Sequence, residues 1–422
     1  MKVAGSVRVP GDKSITHRAL LLAGLTRGTS YIGGALTSLD AQSSARVLRQ
    51  LGTELSPLRK GATVTSRGRG KFRRPADTLF CGNSGTTTRL LLGLLSAHRF
   101  SATLTGDSSL RRRPMRRVTG PLSQMGARFD EQPHDGLPLT VRGGSLRPLR
   151  YEMPVSSAQI KSAILLAGMA GEVEVSVCEP NGRSRDHTER LLQAFGYGVT
   201  QNDGWIHFTP GGKLQPFEIQ IPGDPSSAAF LVGAAVLAES GELRILGVGV
   251  NPTRTGFLRV LERMGAKIDL ESRSDHFGEP IADLVVRPAA LRATEVTADE
   301  IPGLIDEIPL LAVLASRAEG ATTFRQVGEL RVKESDRLGL IAENLRTVGT
   351  EAEVAGDDLV VHGAESKPVG KVRTAGDHRL AMAFAVLGTL PGARIKIDDM
   401  ACAAVSFPGF PETLHDIAGG RR

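Results

Sequence analysis

One pattern of apolar and polar positions recurs six times along the chain. A tight turn and a few small polar residues are followed by an Ala/Leu/Gly-rich run. It reads PGDKSITHRALLLAGL from Pro10, CGNSGTTTRLLLGLLS from Cys81 and PVSSAQIKSAILLAGM from Pro154. It returns as PGDPSSAAFLVGAAVLA from Pro222, PGLIDEIPLLAVLAS from Pro302 and AGDHRLAMAFAVLG from Ala375. Successive starts are 71, 73, 68, 80 and 73 residues apart. Each run predicts a helix entered through Gly, Asp, Ser or Asn, residues that satisfy the free N–H groups of a first turn. The runs are apolar nearly all round, so these helices belong in the interior.

A second, amphipathic helix follows most copies and stops at a glycine: VLRQLGTEL, LSQMGARFD, LLQAFGYGV, VLERMGAKI and NLRTVGTEA, with glycines at 52, 126, 196, 265 and 349. Glycine just past a helix supplies the left-handed turn without steric penalty. The sixth copy ends in FPGFPETLHDIAG, short of a full second helix. Short β-type runs lie between (ATVTS, LPLTVRG, EVEVSV, WIHFTP, DLVVRP, DLVVHG, RIKID). The repeat is therefore a mixed α/β unit of about seventy residues, and six copies group as three plus three.

Composition narrows the function. The chain has 422 residues, 41% hydrophobic and 23% charged, which suits a soluble globular protein and excludes a mainly disordered one. Net charge is +7, and 41 of the 52 cations are Arg. Arginine grips carboxylate and phosphate with a planar fork, so anionic partners are expected. Only 18 aromatic residues are present, few for stacking along single-stranded nucleic acid. Cys81, Cys178 and Cys402 are scattered, which argues for reduced thiols in a cytoplasm and against a disulfide framework or zinc site. The N-terminus lacks a signal-peptide core, and no apolar run has membrane-spanning length. HExxH, GxSxG, GxGxxG and Walker A patterns are absent, which disfavours a metalloprotease, a serine hydrolase, a Rossmann dehydrogenase and a P-loop kinase.

Helix N-termini attract anions. Those of the six inner helices carry Lys13, Ser14 and Arg18; Asn83, Gly85, Thr86 and Arg89; Ser157 and Gln159; Asp224 and Ser226; Asp306 and Glu307; and Asp377, His378 and Arg379. Converging, they would make a polar, mostly cationic cleft. A cap needs Ser or Asp but not Lys13, Arg18 or Arg379 beside it. The basic run 111–117 reads as a solvated loop from which one Arg reaches a phosphate. In SRDHTERLL, Asp186 reads as a helix cap. In ELRVKESDRL, Lys333 and Arg337 would be i,i+4 neighbours on a helix, a like-charge pair that a shared anionic ligand would relieve; a salt-bridged surface helix is the alternative. His378 reads as structural.

PGDKSITHRAL, GNSGTTTRLL, RRPM, SAQIKSAILLAG, SRDHTERLL, GDPSSAAF, LRVKESDRL and GDHRLAMAF resemble, in order and over nearly the whole chain, the blocks of the enolpyruvyl transferases, specifically the EPSP synthase family. The resemblance implies an α/β fold of two globular domains, each of three βαβαββ-type units around inner helices, with the active site in the interdomain cleft. It implies one domain over 12–221 and another over 1–11 with 222–422. The implied reaction transfers the enolpyruvyl group of phosphoenolpyruvate to the 5-hydroxyl of shikimate 3-phosphate, releasing phosphate, a step of aromatic amino acid biosynthesis. It proceeds by addition and elimination through a tetrahedral adduct, with no cofactor and no metal. Carried over position by position, Lys13, Ser14, Arg18, Ser157, Ala158, Gln159, Arg185, Asp306 and Lys333 would bind shikimate 3-phosphate. Lys13, Gly85, Arg113, Gln159, Arg337 and Arg379 would bind phosphoenolpyruvate. Asp306 would be the base for the hydroxyl, and Glu334 the proton donor and acceptor at the methylene carbon, with Lys13 also catalytic. A cytoplasmic monomer without nucleic-acid or membrane partners is expected.

Two positions depart from some relatives: Val405 stands where they have a Lys before a T-F-P segment, and Glu329 where they have an Asn. The rival substrate is UDP-N-acetylglucosamine, used by a sister enzyme with a reactive Cys in the loop matching 106–117; that loop has no Cys here. A non-catalytic anion- or nucleic-acid-binding protein is the rival from another class.

Overall fold

The computed structural model describes residues 1–130, 132–180 and 182–419. Twelve α-helices occur among them, in six successive pairs: α1 (Lys13–Leu25) and α2 (Leu39–Gln50), α3 (Gly85–Ser96) and α4 (Arg116–Gln124), α5 (Ala158–Gly171) and α6 (His187–Ala194), α7 (Pro225–Val236) and α8 (Gly256–Arg263), α9 (Ile308–Ala315) and α10 (Arg337–Thr347), α11 (His378–Leu387) and α12 (Phe410–Ile417). The odd-numbered helices are the Ala/Leu-rich runs. Every residue of α7 and α9 is buried. The even-numbered helices are the amphipathic ones. Gly52, Gly126, Gly196, Gly265 and Gly349, just beyond them, have φ between +78° and +112°. That is a region other residues enter only with strain.

The chain forms two compact units. The first comprises Gly11–Ile221 with Asp275–Glu279; the second comprises Met1–Pro10, Pro222–Ser274 and Pro280–Arg422. The four-stranded sheets repeat one topology, in keeping with the repeat in sequence. Leu79–Phe80 runs parallel to Ser101–Thr105, which pairs antiparallel with Leu139–Arg142, which in turn pairs antiparallel with Arg128–Asp130. In chain order this is βαβαββ, and the sheet running from Leu149–Glu152 to Trp205–Thr209 repeats it. In the first repeat the parallel edge strand, Glu218–Gln220, comes from the far end of the unit and pairs with Arg27–Gly33. In the second unit Gly5–Val7 does the same for Leu243–Gly249. The sixth repeat keeps only the parallel pair Val369–Val372 and Arg394–Ile397. Its second helix does form, contrary to the sequence expectation: α12 has eight residues, as α6 and α8 do. Gly409 at its cap position and Pro411 in its first turn are both compatible with a helix N-terminus.

Each unit encloses its own apolar core. In the first, α3 and α5 lie so close that a Cβ on Gly93 would come within 2.2 Å of the Ala163 carbonyl oxygen. Backbone cannot yield as a side chain can. Gly93→Ala should therefore destabilise the protein by about 1–3 kcal/mol, read as a lower urea midpoint; an unchanged midpoint would mean that the two helices part readily. No helix among the described residues is long and apolar enough to cross a membrane.

Candidate active site

In the first unit, side chains at the starts of α1, α3 and α5 meet in one polar network. Asp12 caps α1, accepting from the Ile15 amide at 2.8 Å. Lys13 Nζ donates to Asp40 Oδ2 at 3.2 Å. Arg18 is buried: its Nε donates to Thr188 Oγ1 at 2.7 Å, Nη2 to Ser162 Oγ at 2.7 Å and Nη1 to the Ser14 carbonyl at 2.9 Å. Burial lowers its pKa to about 10, against the pull of Glu189 and Asp12 and with the help of nearby Arg185. A buried guanidinium bonded to neutral groups and close to a second cation gains from an anion.

At α3, Ser84 is the cap and accepts from the Thr87 amide at 3.2 Å. Gly85 faces Arg113, whose Nη1 lies 3.2 Å from where a Gly85 Cβ would stand. Arg113 Nη2 donates to Asn83 Oδ1 at 2.5 Å, and Asn83 Nδ2 to Asp107 Oδ2 at 2.7 Å. Arg113 is thus the arginine of the 111–117 run that meets the start of α3; Arg111, Arg112 and Arg116 are exposed, and Arg117, like Arg113, is partly buried. Gln159 on α5 accepts from Arg89 and donates to Thr86 Oγ1 at 3.0 Å. Ser157 holds the cap position of α5, but its hydroxyl makes no capping bond; Ser157, Ala158 and Gln159 are all partly accessible.

Three further groups had no weight in the sequence reading. Asp40 pairs with Lys13. Lys161 is buried with Glu179 and Glu189, each 2.8 Å away, and donates to the Ser184 carbonyl at 3.2 Å. It thereby fastens the segment carrying Arg185. A lone Lys inside an apolar helix run was the available signal. Burial dominates the raised pKa of Glu189; for Lys161 the two glutamates outweigh burial and raise it. Third, His17 is buried with Nδ1 2.8 Å from Ser44 Oγ, and Ser44 Oγ is 2.7 Å from Thr87 Oγ1. Burial lowers the His17 pKa to about 4, although Asp40 opposes this. The unfolded chain, where His titrates near 6.5, thus binds a proton that the folded protein refuses. Stability should fall as pH drops from about 6.5 toward 4, by up to about 3 kcal/mol from this group. Urea unfolding of His17→Asn should show a shallower decline over that range; an identical decline would assign it elsewhere.

Asp186 sits at the cap position of α6 without a side-chain cap bond; its carboxylate instead takes Arg190 Nε at 2.9 Å. His187 Nδ1 lies 2.7 Å from Glu279 Oε1.

In the second unit the starts of α7, α9, α10 and α11 form a denser cluster. Asp377 caps α11, accepting from the Arg379 amide at 3.0 Å. Arg337 is completely buried: Nε is 2.7 Å from Asp377 Oδ2, Nη2 is 2.7 Å from Glu334 Oε2 and Nη1 is 3.2 Å from Asp306 Oδ1. Burial opposes its charge, but the three carboxylates outweigh it and raise its pKa; Arg337 in turn holds the Asp377 carboxyl below its usual range despite burial. Arg379 Nη1 donates to the Asp306 carbonyl at 2.9 Å and lies 3.4 Å from Glu307 Oε1, while its Nη2 is 3.7 Å from Asp306 Oδ2. Lys333 has its pKa lowered by burial and by Arg337, against the attraction of Asp306, Glu334 and Glu329.

Two expectations are corrected here. Lys333 and Arg337 do not share a helix: Gly328–Val332 is a 3₁₀ turn, Asp336 caps α10, and Arg337 is its first residue. The i,i+4 repulsion does not arise. Nor is this cluster mostly cationic. Lys333, Arg337, Arg379 and Arg254 are matched by Asp224, Asp306, Glu307, Glu334 and Asp377. Val405 ends the 3₁₀ turn Ala401–Val405 and is partly buried.

The chain is similar to known proteins over nearly its whole length. The family model for EPSP synthase (3-phosphoshikimate 1-carboxyvinyltransferase) matches residues 1–414. The chain belongs to the EPSP synthase family. It is 47% identical over 420 residues to the 3-phosphoshikimate 1-carboxyvinyltransferase of Desulfitobacterium hafniense, covering 99% of this chain and 96% of that protein. It is 45% identical over 418 residues to the protein of the same name from Xanthomonas axonopodis pv. citri, covering 99% and 94%. Among solved structures, EPSP synthase from Acinetobacter baumannii superposes with a TM-score of 0.87 at 39% identity over 99% of this chain and 96% of that one. The enolpyruvyl transferase NikO from Streptomyces tendae, at 18% identity and a TM-score of 0.79 over 99% and 95%, shares the fold.

Proposed function

We propose that the protein transfers the enolpyruvyl group of phosphoenolpyruvate to the 5-hydroxyl of shikimate 3-phosphate, releasing phosphate, through the residues of the two clusters. The observation that carries the proposal is Asp306. This single carboxylate faces Arg337 at 3.2 Å through one oxygen and Arg379 at 3.7 Å through the other. A carboxylate placed beside two cations suits a reaction in which a hydroxyl proton leaves while a phosphate-bearing carbon is attacked.

Asp306 takes the proton of the 5-hydroxyl as its oxygen bonds to C2 of phosphoenolpyruvate. Glu334 delivers a proton to C3, giving a methyl group and a tetrahedral adduct. In the second half Glu334 recovers a proton from that methyl, the double bond re-forms, and the C2–O bond to phosphate breaks. The proton held by Asp306 leaves with the phosphate. Lys13, Arg113, Arg337 and Arg379, with the Gly85 amide and Gln159, hold phosphoenolpyruvate. Lys13, Ser14, Arg18, Ser157, Ala158, Gln159, Arg185, Asp306 and Lys333 hold shikimate 3-phosphate. Cations already fixed in place hold the two anions without having to reorganise. Burial makes Lys333 readier than an ordinary lysine to accept an anionic neighbour or a hydroxyl. Matched small-molecule anions, not a nucleic acid, are the partners in this reading, and the protein acts as a cytoplasmic monomer.

Turnover in D₂O tests the chemistry. Passage through a methyl group leaves deuterium on the vinyl carbon of the product, seen as a mass increase. Product without that deuterium would contradict addition and elimination. Gly85→Ala tests the phosphoenolpyruvate site. The new Cβ presses on Arg113, so the apparent KM for phosphoenolpyruvate should rise by up to about tenfold, with that for shikimate 3-phosphate unchanged. Equal changes in both would remove Arg113 from the donor site.

A further inference from the structure

Behind Arg379 lies a chain of buried polar groups to which the proposed reaction assigns no role. Arg254 precedes α8 in an irregular loop and is buried, as are Ser226, Asp224 and Glu307. Arg254 Nη2 donates to Ser226 Oγ at 2.7 Å and lies 3.2 Å from Asp224 Oδ1. Ser226 Oγ donates to Glu307 Oε1 at 2.5 Å. The same Glu307 oxygen is 3.4 Å from Arg379 Nη1, and Arg379 Nη1 also donates to the Asp306 carbonyl. Four segments meet here: the start of α7, the loop before α8, the start of α9 and the start of α11. Capping α7 requires only Asp224, which accepts from the Ser226 amide at 2.8 Å. It does not require a buried arginine and a buried glutamate beyond it. Glu307 stands at the cap position of α9 but makes no side-chain cap bond there. Its carboxylate is turned to Ser226 and Arg379 instead.

We propose that Glu307 is a positioning residue. Locked by Ser226 and Arg254, it sets the guanidinium of Arg379 in the orientation that receives phosphoenolpyruvate. The carboxylate does not touch substrate; it fixes where Nη1 sits, and the Asp306 carbonyl fixes the same nitrogen from the other side. A guanidinium released from one of these two acceptors can turn about its long side chain, and the loss falls on binding of the anion it grips. Ground state and transition state are gripped alike, so KM carries the effect and kcat does not. The inference rests on the reading of Arg379 as a phosphoenolpyruvate ligand.

A double-mutant cycle tests it, with Glu307→Gln, Arg379→Ala and the pair. Glu307→Gln keeps the size and a hydrogen-bond acceptor but loses the charge. It should raise KM for phosphoenolpyruvate about tenfold, the weight of one charge-assisted contact, with KM for shikimate 3-phosphate and kcat nearly unchanged. Adding Glu307→Gln to Arg379→Ala should raise KM no further, because the route through Arg379 is already gone. Ser226→Ala, which removes the hydroxyl between Arg254 and Glu307 but leaves the Glu307–Arg379 contact in place, should give a smaller rise of the same kind. Additive effects in the double variant would overturn the positioning role. So would a Glu307→Gln effect divided equally between the two substrates. Arg379→Ala alone, if it left KM for phosphoenolpyruvate unchanged, would instead overturn the reading of Arg379 itself. Urea midpoints of all the variants separate loss of fold from loss of positioning.

Discussion

Asp306→Asn should lower kcat by about 10²–10⁴-fold, the range over which a positioned base contributes to rate, while shikimate 3-phosphate still binds. The amide keeps the shape but cannot accept the hydroxyl proton. Two arginines near it, Arg337 and Arg379, lose a carboxylate neighbour. The Asp306 carbonyl that orients Arg379 Nη1 is unchanged by the substitution, so phosphoenolpyruvate should bind no worse, and its KM should hold or fall. That split separates a base from a ligand: a residue serving mainly to hold phosphoenolpyruvate would raise KM when replaced. Steady-state kinetics with both substrates varied, plus calorimetric titration of shikimate 3-phosphate, measures it. Near-normal turnover would refute the assignment.

Arg337→Met should be the most damaging substitution for the fold. It removes the one cation that meets Asp306, Glu334 and Asp377 together and leaves these carboxylates facing one another. Breaking a buried ion pair from one side costs about 3–5 kcal/mol. The variant should also differ from the native protein in its pH dependence. In the native protein Asp377 has a depressed pKa, so the stability it contributes is present above its unfolded pKa and is lost as pH falls through the lower folded value. In the variant the three carboxylates face one another without Arg337, which disfavours their charged forms, and mild acid should relieve part of the loss. Between pH 8 and 5 the urea midpoint of Arg337→Met should draw closer to that of the native protein, since both carry the same decline from His17. A parallel fall in both proteins would show that the three carboxylates do not depend on Arg337.

Much of the architecture was readable because each repeat obeys local rules. The inner helices are apolar on every side and enter through capping residues; the outer ones end on glycine. Both signals are chemical and short-range. What was not readable depends on contacts between distant segments. Whether Lys333 continues into α10 turns on Asp336 capping at that point, and an acidic residue inside a charged run gives no sign of it. Arg254 sits in an unremarkable NPTRTG loop; its burial follows from where α7 and α9 start. Asp275–Glu279 belongs with the first unit although it lies within a hairpin whose neighbours belong to the second, and nothing in that hairpin's sequence marks the excursion. The carboxylates of the second cluster were each visible as helix-start residues. Their pairing with the arginines was not, so a surplus of cations was expected where there is near balance.

The most direct test is phosphate release from phosphoenolpyruvate, measured separately with shikimate 3-phosphate and with UDP-N-acetylglucosamine as acceptor. Release with shikimate 3-phosphate alone is the predicted result. Release with the nucleotide sugar alone, or with neither acceptor, would contradict it.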